Sequence, residues 1–359
     1  AGDLAERLVD MAPERFTHVF FTGSGSEAND TNIRLVRRYW DLQDKPNKRI
    51  IISRKNAYHG STIASASLGG FKSVHQQFET LPYVEHIVDP NWFVNGGDLS
   101  PEEFGLQAAR ALEEKIDQIG EENIAAFIAE PIQGAGGVIV PPDSYWPEVS
   151  RILKARDILF ISDEVICGFG RTGSLFGCQT LGTEPDLITF AKAVTNGFQP
   201  LGGVLVSDKV ASVITAKGGE FAHGFTYSGH PIACAAAMAT LDIMQSDNIF
   251  QTVHDHSAPY LQKRWAELGQ HPIVGHTRGL GMFGSMELVR NKETRERLAP
   301  DQVSGGVCRD LSIANGLVMR AVGDSMIISP PLICNHAEID TIIERVTQAL
   351  DQTAEYFSV

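Results

Sequence analysis

The 359-residue sequence lacks several features that mark specialised classes of protein. Its longest largely apolar stretch, 232–244, is too short to cross a bilayer, and its N-terminus shows no signal-peptide pattern. Basic residues are in deficit, with 30 Lys and Arg against 44 Asp and Glu, and the net charge of −14 argues against a nucleic-acid binder. We therefore expect neither a membrane nor a nucleic-acid partner.

Cysteine is scarce, and its positions form no CxxC pair. An odd number of cysteines without a spacing framework indicates free thiols in a reducing compartment, which predicts a cytoplasmic protein. No HExxH motif or paired-cysteine zinc site is present, so we predict no metal site. The G-x-S-x-G elbow of serine hydrolases is also missing. The cysteines are Cys167, Cys178, Cys234, Cys308 and Cys334.

Apolar runs and helical patterns alternate over the first two-thirds of the chain. Such alternation predicts an α/β fold, with a mostly parallel sheet covered on both faces and ligands beyond the carboxyl ends of its strands. Composition changes near residue 245, which predicts a large domain over 1–245 and a smaller α+β domain over 246–359. Strands are expected over 17–21, 49–52, 125–129, 158–162, 187–190 and 203–206. Helices are expected over 27–40, 101–119, 249–268, 305–315 and 337–356.

Two charged side chains follow apolar runs in the predicted large domain. Lys192 comes directly after the run 187–190, and Asp163 follows the run 158–162. A lysine and a carboxylate at the same edge of a sheet suit pyridoxal 5′-phosphate (PLP), which a lysine holds as an imine and an aspartate keeps protonated at the ring nitrogen. Taken singly, each residue is more typical of a structural role, as a lysine reaching solvent or an aspartate capping a turn.

A glycine- and serine-rich turn, 23–28 (GSGSEA), follows the first strand and opens a helix. Helix N-termini present free N–H groups that suit a phosphate, and two serines favour a phosphate monoester. The same letters fit G-x-G-x-x-A, a weak match to a dinucleotide-binding turn, and also a simple turn with a serine cap.

Further candidates lie on predicted loops and strand ends. Tyr58 follows the second strand and suits stacking on a flat ring or packing at a loop base. Glu130 ends a strand and is either functional or paired with a neighbouring arginine. Arg171, in a glycine loop, is interpreted as structural. Thr226 precedes a helix and suits capping or phosphate binding. Arg320 suits either a carboxylate ligand or a surface ion pair.

Taken together, these segments resemble the class III aminotransferases, which are PLP-dependent transferases of fold type I. Within that family, the stretches 130–146 and 316–332 resemble ω-aminotransferases that use pyruvate, most of all those acting on polyamines such as putrescine and spermidine. The matching motifs stand in family order: 25–29 (GSEAN), 58–60 (YHG), 130–131 (EP), 163–173 (DEVICGFGRTG), 191–192 (AK) and 225–231 (FTYSGHP).

The resemblance implies a role for each residue around the cofactor ring. Lys192 would hold PLP and, once displaced by a substrate amine, would move the proton at the substrate carbon. Asp163 would hold the proton of the ring nitrogen. Val165 would pack on one face of the ring and Tyr58 on the other.

The resemblance also implies roles further from the ring. Gly25 and Ser26 would bind the phosphate, and Thr226 would bind it in the neighbouring subunit's site, which implies a homodimer or tetramer. Glu130 would lie near the ring substituents. Arg320 would clamp the carboxylate of pyruvate and swing away for an amine without one.

Some alternatives stay open from the sequence. Within the family, the donor could be β-alanine, 4-aminobutyrate or ornithine, and an aminomutase or decarboxylase has the same fold. From other classes, the G-x-G-x-x-A turn would suit a nicotinamide-dependent dehydrogenase, and a silent PLP-fold binding protein is a third reading. The first residue is Ala, and the family's N-terminal segment, which supplies aromatic residues to the substrate pocket, is expected to precede it.

Overall fold

In the computed structural model, which describes residues 1–359 apart from the side chain of Gln302, the chain folds as two units that interleave along the sequence. The first unit comprises residues 1–133, 141–169 and 174–247. The second comprises 134–140, 170–173 and 248–359. Each unit has its own sheet and its own apolar core.

The sheet of the first unit contains the strands β1 (Phe16–Thr22), β2 (Ile50–Arg54), β3 (Val84–Ile87), β4 (Ile124–Ala129), β5 (Leu159–Asp163), β6 (Leu187–Phe190) and β7 (Gly202–Ser207). Their order is β1-β7-β6-β5-β4-β2-β3. β7 runs antiparallel to both of its neighbours, and the pairings from β6 across to β3 are parallel. The predicted α/β class with a mostly parallel sheet is confirmed.

Both faces of this sheet are apolar and buried. On β4, Ala126 and Ile128 belong to one core, whereas Phe127 and Ala129 belong to the other, because successive residues of a strand point to opposite faces. The helices of this unit are α1 (Gly2–Met11), α2 (Gly25–Leu42), α3 (Ile63–Leu68), α4 (Lys72–His75), α5 (Trp92–Asn95), α6 (Pro101–Ile119), α7 (Tyr145–Ala155), α8 (Gly177–Thr180), α9 (Asp208–Lys217) and α10 (Pro231–Ser246).

The second unit has an antiparallel sheet. Its strands are β8 (Val274–Leu280), β9 (Phe283–Asn291), β10 (Glu296–Arg297), β11 (Arg320–Val322) and β12 (Ser325–Ile328). β9 lies at the centre, where β8, β10 and β12 pair with it. Its helices include α11 (Ile249–Thr252), α12 (Ala258–Glu267), α13 (Ser304–Ala314) and α14 (His336–Tyr356). Among the described residues of the whole chain, no helix is long and apolar enough to span a membrane.

The helix predicted over 249–268 is interrupted. A single π turn, Val253–Ser257, separates α11 from α12, and Pro259 stands in the first turn of α12. Proline has no N–H to donate to the carbonyl four residues earlier, so the regular ladder of the helix cannot run through this point.

Candidate active site

A cavity of about 410 Å³ opens at the carboxyl end of the first unit's sheet. The segments that follow β1, β2, β4, β5 and β6 supply its walls, which is where α/β sheets bind ligands. The fold thus gathers groups that are far apart in the sequence. The lining includes the predicted site residues Gly25, Ser26, Tyr58, Glu130, Asp163, Val165 and Lys192.

Lys192 follows β6 and begins a short 3-10 turn, Lys192–Val194. Its backbone φ is 47°, in the left-handed region that residues other than glycine rarely adopt. Such strained backbone clusters at functional sites, where the surrounding structure holds it in place. The side chain is exposed at the cavity wall, so its amine is accessible to a ligand there.

Asp163 ends β5 and is only 3% exposed. Its Oδ1 accepts a hydrogen bond from the amide of Val165 at 3.1 Å, and its Oδ2 accepts from Nδ2 of Asn29 and Nδ1 of His59, both at 2.8 Å. An ionised carboxylate has about four lone-pair sites. One acceptor position therefore remains, on Oδ1, which matches the single N–H of a protonated pyridine ring.

The His59 side chain is fully buried beside Asp163. Because an ionised carboxylate only accepts hydrogen bonds, Nδ1 of His59 carries the proton between them. Among the described residues, Nε2 of His59 has no hydrogen-bond partner, and the residue lines the cavity. A buried polar atom without a partner is costly, so this wall of the cavity suits a ligand with polar groups.

Glycines bring the loops of the cavity close together. A Cβ on Gly25 would lie 2.8 Å from Cγ2 of Val165, and a Cβ on Gly60, whose φ is 138°, would lie 2.5 Å from Oγ of Ser26. Ser24 caps α2 by accepting from the amide of Glu27 at 3.2 Å. The serine cap expected as an alternative to a phosphate site is therefore present, and Gly25 and Ser26 still lie on the cavity wall.

Glu130 connects the cavity to a buried arginine. Its Oε1 accepts from the amide of Tyr58 at 3.1 Å, and its carbonyl oxygen accepts from Nη2 of Arg54. Arg54 is fully buried, with its guanidinium 5.5 Å from the ring of Trp146. The hydroxyl of Tyr58 lies 2.9 Å from Oγ of Ser61. Arg54 thus binds the backbone carbonyl of Glu130.

Two buried carboxyl groups have raised pKa values. Burial raises the pKa of Glu130, against the opposing effect of nearby His59. Burial also raises the pKa of Glu164, from its ordinary 4.5 to about 7, although the amides of Gly177 and Cys178 each donate to it at 2.7 Å. The Glu164 side chain thus links the segment that follows Asp163 to the start of α8.

The remaining sequence candidates lie elsewhere. Thr226 is exposed and is not among the residues that line the cavity. Arg320 begins β11 in the second unit, and its side chain is exposed. Arg171 donates to the carbonyls of Met282 and Pro330 within the second unit, in agreement with its interpretation as structural. Sequence reasoning assigned no role to Asn29 or His59, although both fall inside the quoted motifs.

Comparison with known proteins identifies the family. The family model described as aminotransferase class-III matches residues 1–350. The chain belongs to the class III aminotransferases. PLP is their cofactor, so the weak G-x-G-x-x-A match does not mark a nicotinamide site in this aminotransferase.

Named relatives and solved structures agree with this assignment. The aminotransferase is 56% identical over 353 residues to a putrescine–pyruvate aminotransferase of Pseudomonas aeruginosa, covering 98% of this chain and 77% of the relative. It is 43% identical to the chloroplastic γ-aminobutyrate transaminase 3 of Solanum lycopersicum, covering 98% and 68%. An ω-transaminase of Pseudomonas jessenii, solved in complex with PMP, matches with a TM-score of 0.96 at 39% identity, covering 99% of this chain and 80% of that one.

Proposed function

We propose that this aminotransferase moves an amino group from a primary amine or diamine, such as putrescine or spermidine, to pyruvate, giving alanine and an aldehyde. The observation that carries the proposal is the pair formed by Lys192 and Asp163 on one cavity. The 56% identity to a putrescine–pyruvate aminotransferase supports the choice of donor and acceptor.

The cavity residues fit PLP. When bound, PLP supplies an electron sink for the negative charge that develops on the carbon next to the substrate nitrogen. Lys192 is the residue that would hold the cofactor covalently. Asp163 has one free acceptor position for the ring N–H, and Gly25 and Ser26, at the first turn of α2, would bind the phosphate.

Lys192 also handles the proton. Its amino group would be the base that removes the proton from the substrate carbon and the acid that returns it. The Lys192 side chain is exposed at the cavity wall, so its amino group is accessible to a substrate bound there. Tyr58 and Val165 would hold the ring between them, and Glu130 would position Tyr58 through its amide.

Arg320 would bind the carboxylate of pyruvate. A guanidinium binds a carboxylate bidentately, and an amine such as putrescine has no group for it to bind. Thr226 would complete the phosphate site of a neighbouring subunit, in a homodimer or tetramer, which is consistent with its absence from the cavity of its own chain.

The two units carry different parts of this function in the proposal. The first would be the PLP-binding domain, and the second, which contains Arg320, would be the small domain. All five cysteines are buried free thiols, which supports a cytoplasmic location.

Visible absorption of the PLP-loaded protein tests the proposal. An imine band that survives dialysis, is bleached by putrescine and is restored by pyruvate is the expected result, and Lys192→Ala should show no such band. A wild-type protein without the band, or a Lys192→Ala variant with the same dialysis-resistant band, would refute the role of Lys192.

A different donor is the second candidate, because a γ-aminobutyrate transaminase is 43% identical to this chain. β-Alanine, 4-aminobutyrate and ornithine belong in the same bleaching experiment. If putrescine does not bleach the band and one of these amino acids does, the protein is still an aminotransferase, and that amino acid replaces putrescine as the assigned donor.

A further inference from the structure

A buried hydrogen-bond network lies behind Asp163. It consists of Asn29 and Asn32 on α2, Thr189 on β6, and His59 on the loop after β2. Asn29, Asn32 and Thr189 are fully buried, and His59 is 2% exposed. Burying so many polar groups is costly unless they are paired, which indicates a purpose beyond packing.

Asn29 is the centre of this network. Its Nδ2 donates to Oδ2 of Asp163 at 2.8 Å and to the carbonyl of His59 at 2.7 Å. Its Oδ1 accepts from the hydroxyl of Thr189 at 2.8 Å and from Nδ2 of Asn32 at 3.1 Å. The amide of Asn29 thus bonds to acceptors on one side and donors on the other, so its orientation is fixed.

One chain of these hydrogen bonds runs toward Asp163. Nδ2 of Asn32 donates to the Thr189 hydroxyl at 2.6 Å, the hydroxyl donates to Asn29, and Asn29 donates to Asp163. Aligned donors polarise one another, which strengthens the hydrogen bond that Asp163 accepts at the end of the chain. They also occupy Oδ2 and so leave the free acceptor position on Oδ1.

We propose that Asn29 is a positioning residue that orients the Asp163 carboxylate with the free acceptor position of Oδ1 available to the ring, and thereby helps to hold the proton on the ring nitrogen of the cofactor. The proposal rests on the proposed function, because it concerns PLP in this cavity. Thr189 lies on β6 and Lys192 follows that strand, so the network also contacts the strand that leads to the second residue proposed to hold the cofactor.

The test compares PLP with 1-deaza-PLP, an analogue in which a carbon replaces the ring nitrogen. Dissociation constants are measured by titration of the cofactor-free wild type, Asn29→Ala and Asn29→Asp. The wild type should bind PLP more tightly than 1-deaza-PLP, and the ratio of the two dissociation constants measures this preference for PLP. Asn29→Ala should lower the ratio by about tenfold or more, the usual effect of losing a hydrogen bond to a charged group. Asn29→Asp should lower it further, because a second carboxylate then faces Asp163.

Two further variants separate positioning from damage to the fold. Thr353→Val removes a buried hydroxyl within α14 and should leave the preference unchanged. In an Asp163→Ala background, adding Asn29→Ala should not change the preference for PLP further, because the carboxylate that Asn29 binds is already absent. If Asn29 variants do not fold, Thr189→Val, which removes the donor to Oδ1 of Asn29, should still lower the preference for PLP.

Equal losses of affinity for PLP and 1-deaza-PLP in the Asn29 variants would overturn the proposal, since Asn29 would then only shape the cavity. An unchanged preference in a folded Asn29→Asp variant would do the same. A wild type with no preference would overturn the assigned role of Asp163 and this proposal with it. A failure of the proposed function differs visibly, because the lysine-dependent absorption band would then be missing.

Discussion

Tyr58 and Glu130 are linked by a hydrogen bond of 3.1 Å, from the backbone amide of Tyr58 to Oε1 of Glu130. The loop after β2 is thus tied to the end of β4 at the cavity. We expect Glu130→Ala to weaken PLP binding about tenfold, since it removes the side-chain oxygen that accepts the hydrogen bond of the Tyr58 loop. Glu130→Gln keeps an acceptor oxygen and should bind PLP more tightly than Glu130→Ala. Equal affinities of the two variants would contradict this role.

Arg54 should be important for stability. Arg54→Met removes the donor to the Glu130 carbonyl inside a fully buried site, and we expect the free energy of unfolding to fall by about 2–4 kcal/mol. Chemical denaturation measures this change. The control is Arg156→Met, because Arg156 forms its ion pairs at the surface, and its denaturation midpoint should barely move. Similar midpoint shifts in both variants would count against the prediction.

Glu164 should make stability depend on pH. Its pKa is about 7 in the folded protein and 4.5 ordinarily, so its contribution is fully present below pH 4.5 and is lost as pH rises through about 7. The loss is up to about 3 kcal/mol in free energy of unfolding. Glu164→Gln should flatten the decline between pH 5 and 8. An identical slope in wild type and variant would refute the assignment.

We expect Arg320 to affect the reaction with pyruvate and not the reaction with putrescine. Arg320→Ala is expected to raise the KM for pyruvate about 10- to 100-fold, since it removes a charged hydrogen-bonding partner of the carboxylate. The rate of the putrescine half-reaction should be little changed, which single-turnover kinetics can measure. Arg309→Ala, an exposed arginine of the same unit paired with Asp310, serves as control. A parallel loss in both half-reactions would argue against carboxylate binding.

Mixed oligomers test whether Thr226 serves a neighbouring subunit. Lys192→Ala and Thr226→Ala chains should each be inactive or weakened when refolded alone. If Thr226 acts across subunits, a mixed dimer has one site with both lesions and one site with neither, so co-refolding should restore activity. If Thr226 acts in its own chain, the mixed dimer has no intact site and activity should not rise.

The strand-end residues could be predicted because the chemistry and the local pattern agree. Asp163 and Lys192 follow continuous apolar runs, and burial on both faces of a sheet makes such runs easy to recognise. The direction of β7 was not predictable in this way, because an apolar run carries no information about strand polarity. β3, which mixes Glu85 and His86 with apolar residues at the sheet edge, also gave no clear strand pattern.

The network around Asn29 could not be read from the sequence. Its members come from a helix, a loop and a strand, and only the folded chain brings Asn29 to Asp163 and Thr189. An asparagine within a helix-forming segment is locally indistinguishable from one exposed to solvent. By contrast, a serine cap at this helix was one of the alternatives that the sequence offered, and Ser24 provides it.

The place of β1 in the sheet has a consequence for how cells make this protein. β1 is an edge strand that carries the glycine loop at its end, and it pairs with β7, where Phe16 lies opposite Ser207. A ribosome that adds about 5–20 residues per second completes β7 about 10–40 s after β1. Until then, the nascent chain displays an unpaired strand that contains Val19, Phe20 and Phe21, which other chains can bind. We expect the yield of active enzyme to depend on chaperone protection during this interval of translation.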